Sequence, residues 1–345
     1  MLADELDYVV GVDPHGDRHV LAVVEAGSGA LVFEAAVAAS AAGYRRALEL
    51  AERKAPGRRC WAIEGTGSYG AGLTRMLARA DERVVEVGRL RRERRSQPKT
   101  DALDAARAAR SVLAKERPAT PRRIDPRQEA LRALLVTREG ALQARTAALC
   151  QLHALLVTSP APLRARFSGL TRSRLLVGCR RLRPGQGDQA GLRLALKTLA
   201  ARIETLNSEE RQLKREIDRL VSELAPILLA QPGVGPVSAA RILLAWSHPG
   251  RLHSEAAFAR LAGAAPIPAS SGKTIRYRLD RGGDRQLNRG LHTIILNRRK
   301  NHPPTIDYID RRQSEGKTTR EAVRCLKRYL ARNLYRLLEA TPQAT

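Results

Sequence analysis

The chain has 345 residues, long enough for two or three domains and a sizeable core. Its 61 Lys and Arg against 35 Asp and Glu give a formal charge of +26, an excess whose commonest reason is contact with nucleic-acid phosphates. Three Phe, two Trp and seven Tyr argue against holding single strands mainly by stacking; four scattered cysteines support neither a disulfide framework nor structural zinc, and no apolar run spans a bilayer, so an intracellular, cytoplasmic protein is expected.

Residues 7–24 (DYVVGVDPHGDRHVLAVV) read as an apolar strand ending at Asp13, a turn over Pro14, His15, Gly16 and Asp17, and a second apolar strand. A carboxylate ending a core strand is costly unless solvated, paired or bound to a cation, so Asp13 is a candidate site residue and a solvated turn is the bland alternative. Residues 30–38 predict a third strand, completing a meander, and Ser40 starts an Ala/Leu-rich helix running to about Lys54. The apolar run 59–64 (RCWAIE) ends at Glu64 before Gly65-Thr66-Gly67; a helix over 69–80 and a strand over 83–87 follow. Strands in a meander followed by alternating strands and helices indicate a mixed sheet covered by helices.

A basic run (residues 89–95) precedes KTDALDAARAARSVL, where Pro98 and Thr100 mark a helix start. Asp101 and Asp104, three residues apart, share one face of its first turn. Acids there also favour a helix through its dipole, which explains one Asp but not the two acids that end earlier strands. Asp13, Glu64, Asp101 and Asp104 together offer hard oxygen ligands from two strand ends and one helical face, suited to holding two Mg²⁺ ions beside a phosphodiester.

This pattern resembles the α/β RNase H-like, Holliday-junction-resolvase type of nuclease domain. More closely, VGVDPH…AIEGTGSYG…KTDALDA, over residues 8–112, resembles the DEDD transposases of insertion sequences, the family numbered one hundred and ten. The resemblance implies a tetrad of Asp13, Glu64, Asp101 and Asp104 binding two Mg²⁺ or Mn²⁺ ions.

Residues 115–127, rich in Pro and Arg, read as a linker after a first domain of residues 1–114. Leu at helical spacing predicts one long helix over 128–157, ended by Pro160-Ala161-Pro162. The loop expected over 160–188 carries seven arginines and no acid between Arg164 and Arg183, a stretch that faces phosphate or is disordered without it. A second long helix, 189–224, places Leu192, Leu196, Leu199, Ile203, Leu206, Leu213, Ile217 and Leu220 three, four or seven apart, which suits a helical hairpin or a coiled coil between protomers. The resemblance favours the coiled coil and an oligomer, a homodimer or homotetramer.

In the last domain, 225–345, residues 229–243 (LAQPGVGPVSAARIL) look like a helix-hairpin-helix, with Gly233 and Gly235 letting backbone N–H groups approach a phosphate. A plain turn between packed helices is the alternative. Next, Ser270 and Ser271 stand between Pro268 and Gly272-Lys273, ahead of Arg276, Arg278 and the turn 280–284. A serine there either donates a hydrogen bond to phosphate or attacks phosphorus with help from those cations. The family carries a Pro-containing Ser-Gly loop ahead of a Gly-Asp/Asn-Arg-x-Leu segment, so the resemblance implies a serine nucleophile, Ser271 aligning best with Ser270 beside it. Lys273, Arg276, Arg278 and Arg285 are expected phosphate ligands. Residues 286–299 and 318–339 read as basic amphipathic helices closing a mainly α domain.

The expected protein is a DNA transposase or recombinase joining donor and target DNA through a phosphoserine intermediate. By resemblance it works with a structured guide RNA and a composite site shared between protomers, with no membrane partner. Two alternatives stay open: a metal-dependent junction resolvase whose serine only binds phosphate, and a non-enzymatic nucleic-acid-binding protein.

Overall fold

The computed structural model of the chain describes residues 1–88, 100–123, 125–269, 277–278, 280 and 282–341. They form two compact units, one of residues 1–124 with 246–254 and one of residues 125–245 with 255–345.

In the first unit β1 (Tyr8–Pro14), β2 (Arg18–Glu25) and β3 (Leu31–Ala38) make the antiparallel meander, and β4 (Arg59–Glu64) and β5 (Val84–Val87) continue it parallel to β1. The strand order is β3-β2-β1-β4-β5. β1 and β4 are apolar at nearly every position because both faces of the sheet are covered. Val9, Cys60, Ala62 and Val85 pack with α3 (Asp101–Leu113). On the opposite face Val10, Val12, Trp61 and Ile63 pack with α1 (Ala41–Lys54) and α2 (Ala71–Arg79). Ser40 and Thr100 cap α1 and α3, their hydroxyls accepting from the Gly43 and Leu103 backbone N–H groups.

Small residues let α3 lie close to the sheet: Ala105, Ala106, Ala108 and Ala109 are all buried. Beneath them is Gly11 of β1, where a Cβ would come 1.9 Å from the Ala105 carbonyl oxygen and 2.9 Å from the Ala109 nitrogen. Only glycine permits that approach. The segment 246–254 also belongs to this unit: the Arg251 guanidinium donates to the Thr120 carbonyl at 3.2 Å and faces the Glu86 carboxylate at 3.4 Å, while the Ser247 hydroxyl accepts from the Arg123 N–H. Both tryptophans, Trp61 and Trp246, are buried in this unit.

The second unit is helical. α4 (Pro126–Val157) and α7 (Ala190–Leu224) run antiparallel: Arg138 pairs with Glu210, Arg145 donates to the Asn207 side-chain carbonyl at 3.0 Å, and Ala148 and Leu152 pack with Leu196, Leu199 and Ile203. The arginine-rich stretch, expected as a loop, folds into α5 (Ala161–Phe167) and α6 (Arg172–Arg180). Leu163 and Phe167, four apart, and Leu176 and Cys179, three apart, bury one side of each helix against the hairpin. All seven arginines of that stretch remain exposed. Beyond α8 (Pro226–Leu229) and α9 (Pro236–Trp246) come α10 (Glu255–Leu261), the ribbon of β6 (Ile267–Pro268) and β7 (Tyr277–Arg278), α11 (Arg285–Asn301), α12 (Pro303–Ser314) and α13 (Thr319–Ala340). α13 packs against α10, α11 and α12. Among the described residues no helix is long and apolar enough to cross a membrane.

Candidate active site

Parallel pairing of β1 with β4 ends at Val12 and Ile63, so Asp13 and Glu64 each stand one residue past the paired core, side by side at the carboxyl ends of adjacent strands. Side chains alternate along a strand: Asp13 follows Val9 and Gly11, and Glu64 follows Cys60 and Ala62, all on the face covered by α3. The N-terminal turn of α3 brings Asp101 and Asp104 to the same end of that face. Gly11 governs this convergence, since α3 could not approach the sheet over a larger residue.

Among the described residues, ligand atoms of Asp13, His15 and Asp101 lie within 4.8 Å of one another. The His15 Nε2 is 3.2 Å from an Asp13 carboxylate oxygen and 3.7 Å from one of Asp101. Arg18, at the start of β2, donates to Asp101 at 2.9 Å. Glu64 and Asp104 are half-buried close by in the fold and stand outside that tightest group; the Asp104 carboxylate is 3.6 Å from the Arg107 guanidinium. Carboxylate oxygens suit Mg²⁺ or Mn²⁺, and the imidazole nitrogen beside them is a donor of the kind transition ions accept. From sequence His15 is part of a turn two residues after Asp13 in VGVDPH, and nothing local marks its nearness to Asp101.

In the helical unit, Ser270, Ser271, Lys273 and Arg276 lie outside the described residues. Among the described residues, the segment just after α10, Tyr277, Arg278, Asp280, α11 and the start of α13 line a cleft of about 950 Å³. Arg278 and Arg285, both expected from sequence, line it, and the structure adds Arg289, Lys317, Arg324, Lys327 and Arg328. Its two acids have local duties: Asp280 accepts from the Gly282 N–H, and Glu321 completes the capping box of α13 with Thr318. Half-buried Lys327 donates to the Asn288 side-chain carbonyl at 2.9 Å, and burial, aided by Arg324, holds its pKa below the ordinary lysine value. Burial likewise lowers the pKa of His292, with Lys327 and Arg299 adding to the effect.

The cleft wall depends on a second close approach. A Cβ at Gly283 would come 2.3 Å from the Gly263 nitrogen, so this turn sits directly on the end of α10, where Asp284 N–H donates to Leu261 O and the Asn288 amide to Ala262 O, both at 2.6 Å. Asp284 is the N-cap of α11, its carboxylate accepting from the Gln286 and Leu287 N–H groups, while Arg285 is left exposed toward the cleft. The turn carrying Gly233 rests on α11: Asn297 donates to the Gly233 carbonyl at 3.3 Å and Arg298 to that of Pro232 at 2.8 Å. Gly235, at the start of α9, has nothing within 4 Å of its Cβ position.

Two family models match the chain. A DEDD transposase model of IS110, described as a transposase, matches residues 10–159, the span that holds Asp13, Glu64, Asp101 and Asp104. A second, described as the transposase IS116/IS110/IS902 family, matches residues 225–310, which hold Gly233, Gly235, both serines and Arg285. A curated relative, the "Insertion element IS110 uncharacterized 43.6 kDa protein" of Streptomyces coelicolor, is 31% identical over 158 residues, 45% of this chain. The chain spans 38% of that relative's length.

Proposed function

The chain belongs to the IS110 family of transposases, and from that premise we propose that it cuts and rejoins the DNA of an insertion sequence. The observation carrying this reading is the meeting of Asp13, His15 and Asp101 at the ends of β1 and α3, with Glu64 at the neighbouring strand end. A mixed sheet ordered β3-β2-β1-β4-β5 supports an RNase H-like fold for the first unit. Asp13, Glu64, Asp101 and Asp104 would hold two Mg²⁺ or Mn²⁺ ions, which when bound supply Lewis-acid polarisation of phosphoryl oxygens and stabilise attacking and leaving oxygens.

Ser271, or Ser270 beside it, is the proposed nucleophile. Its oxygen bonds to the phosphorus of a DNA phosphodiester, the strand's ester oxygen leaves as a hydroxyl with the proton the serine gives up, and a phosphoserine ester remains. A hydroxyl from a second strand then reverses the step and restores the serine. Arg278, Arg285 and the cations of α13 hold the DNA backbone, as expected also of Lys273, Arg276 and the Gly233/Gly235 turn. The +26 charge fits donor and target DNA together with a structured guide RNA, handled by a homodimer or homotetramer in the bacterial cytoplasm. The tetrad of one protomer then faces the serine of another, with the α4/α7 hairpin joining them as a coiled coil.

Transposition and DNA-adduct assays on Asp13→Ala, Ser270→Ala and Ser271→Ala test this. Asp13→Ala and one of the two serine variants should lose transposition, and that serine variant should lose the covalent protein–DNA species. Full cleavage with no adduct in wild-type protein leaves only metal-dependent cutting; unchanged transposition in Asp13→Ala removes the metal role altogether.

A further inference from the structure

The sequence motif comprises four carboxylates, yet the tightest group in the first unit is two carboxylates and an imidazole. We infer that His15 is itself a ligand of the divalent cation held by Asp13 and Asp101, and that its nitrogen shifts the site's preference from Mg²⁺ toward first-row transition ions such as Mn²⁺. This rests on the reading that the carboxylates hold a cation at all, and adds which atom joins them and with what consequence.

The geometry fits a coordination shell. Around an octahedral ion with ligands at about 2.1 Å, adjacent donors lie about 3.0 Å apart and opposite donors about 4.2 Å apart. The His15 Nε2 lies 3.2 Å from Asp13 Oδ2 and 3.7 Å from Asp101 Oδ2, and all three donor atoms fall within 4.8 Å of one another. The two His15 separations fall between those limits and the third pair lies within 4.8 Å, so side-chain rotation suffices to turn the three donors toward one point.

His15 is held there by its backbone as well. Its N–H donates to the Arg18 carbonyl at 2.9 Å, closing the turn between β1 and β2, and Pro14 fixes the backbone before it. The side chain is 44% exposed, so the ring can rotate without disturbing the core. Glu64 and Asp104 stand outside the tightest group, and their carboxylates would complete this shell or hold a second ion.

The chemistry sets the direction of the preference. Mg²⁺ favours an all-oxygen shell that keeps several waters, whereas imidazole is a good ligand for first-row transition ions. A nitrogen beside carboxylates therefore adds more to Mn²⁺ affinity than to Mg²⁺ affinity.

The test uses the full chain with Mn²⁺ alone as the probe. Pulsed electron paramagnetic resonance should show ¹⁴N modulation from a directly coordinated imidazole, and the modulation should vanish in His15→Ala. Calorimetric titration of the same variant should show the Mn²⁺ dissociation constant rising roughly tenfold and that of Mg²⁺ changing by less than about twofold. Mn²⁺ bound without ¹⁴N coupling, or coupling that persists in His15→Ala, overturns the inference and leaves His15 as a hydrogen-bond partner of Asp13. No Mn²⁺ binding by wild-type protein overturns it too, by a distinguishable route, because the carboxylate site then fails with it. Asp13→Asn should lose Mn²⁺ binding while His15→Ala keeps it, which separates a ligand-site failure from a folding failure when tryptophan emission is unchanged in both.

Discussion

The two units assemble charge in opposite ways. In the sheet unit a few acids converge at a point, because two strand ends and a helix N-terminus are fixed to one another by β1–β4 register and by the contact of α3 over Gly11. In the helical unit many cations spread along a cleft, contributed by β7, α11, α13 and the turn before α13. A metal ion demands donors placed within tenths of an ångström, so a rigid sheet suits it. A polyanion is held by summed, salt-screened attraction, so helices bearing long flexible side chains suffice. One steric intrusion should therefore cripple the first site, whereas the second should weaken by degrees.

The largest effect expected is that of Gly11→Val. With a Cβ placed 1.9 Å from the Ala105 carbonyl, α3 must move off the sheet, at a cost of about 3 kcal/mol. Because both tryptophans are buried in this unit, urea unfolding followed by tryptophan fluorescence reads it selectively. The midpoint should fall and Mn²⁺ binding should weaken or vanish with it; an unchanged midpoint breaks the claim that this contact positions Asp101.

Smaller and graded, by contrast, is the effect of removing cations from the cleft. The pair Arg324→Ala and Lys327→Met should lower affinity for a duplex DNA about tenfold at low salt and reduce the slope of log affinity against log salt by about two. Lys327→Met alone should account for about one unit of slope. A slope equal to wild type sinks the assignment of this cleft to a DNA backbone.

The same contrast decides what could be read from the sequence. That Asp13, Glu64, Asp101 and Asp104 stand at the ends of elements was legible, because element ends have local signals: a turn after an apolar run, or Thr100 as an N-cap accepting from Leu103. The approach of His15 to Asp101 was not legible, since it depends on α3 arriving from 86 residues along the chain. Gly11 looked like any small residue in an apolar strand, because a close approach across layers leaves no local trace. The arginine stretch misled for another reason. Its charges suggested a loop, whereas Leu163, Phe167, Leu176 and Cys179 at helical spacing had enough apolar surface to fold it onto the α4/α7 hairpin. The cleft cations of α13 were seen only as the polar side of an amphipathic helix, and the docking of residues 246–254 in the sheet unit had no sequence signature at all.

Acid should weaken the sheet unit through His19. Its ring is fully buried and stacks on Tyr44 at 5.5 Å between centroids, and burial holds its pKa below the ordinary histidine value. The unfolded chain then binds the proton more readily than the folded one, so stability is complete above the unfolded pKa of about 6.5 and is lost as pH falls through it. The tryptophan-monitored midpoint should drop between pH 7 and pH 5 in wild-type protein and drop less in His19→Phe, whose ring keeps the stacking without titrating. Equal drops in both would assign the acid sensitivity to other groups.

The smallest effect concerns Arg18, and it has the opposite sign from the others. Its guanidinium donates to Asp101 at 2.9 Å, so in the metal-free protein it neutralises a carboxylate that a cation must claim. The pair is largely solvent-exposed on the arginine side, at 62%, which places it among ion pairs worth about 0.2–1 kcal/mol. Arg18→Gln should therefore raise Mn²⁺ affinity about two- to fivefold. The gain should shrink with added salt, because the competing pair is already screened in wild-type protein under those conditions. Calorimetric titration at two ionic strengths measures both. Weakened binding would instead make Arg18 a support for Asp101 geometry, and the point-like precision of the sheet site would then extend one shell beyond its ligands.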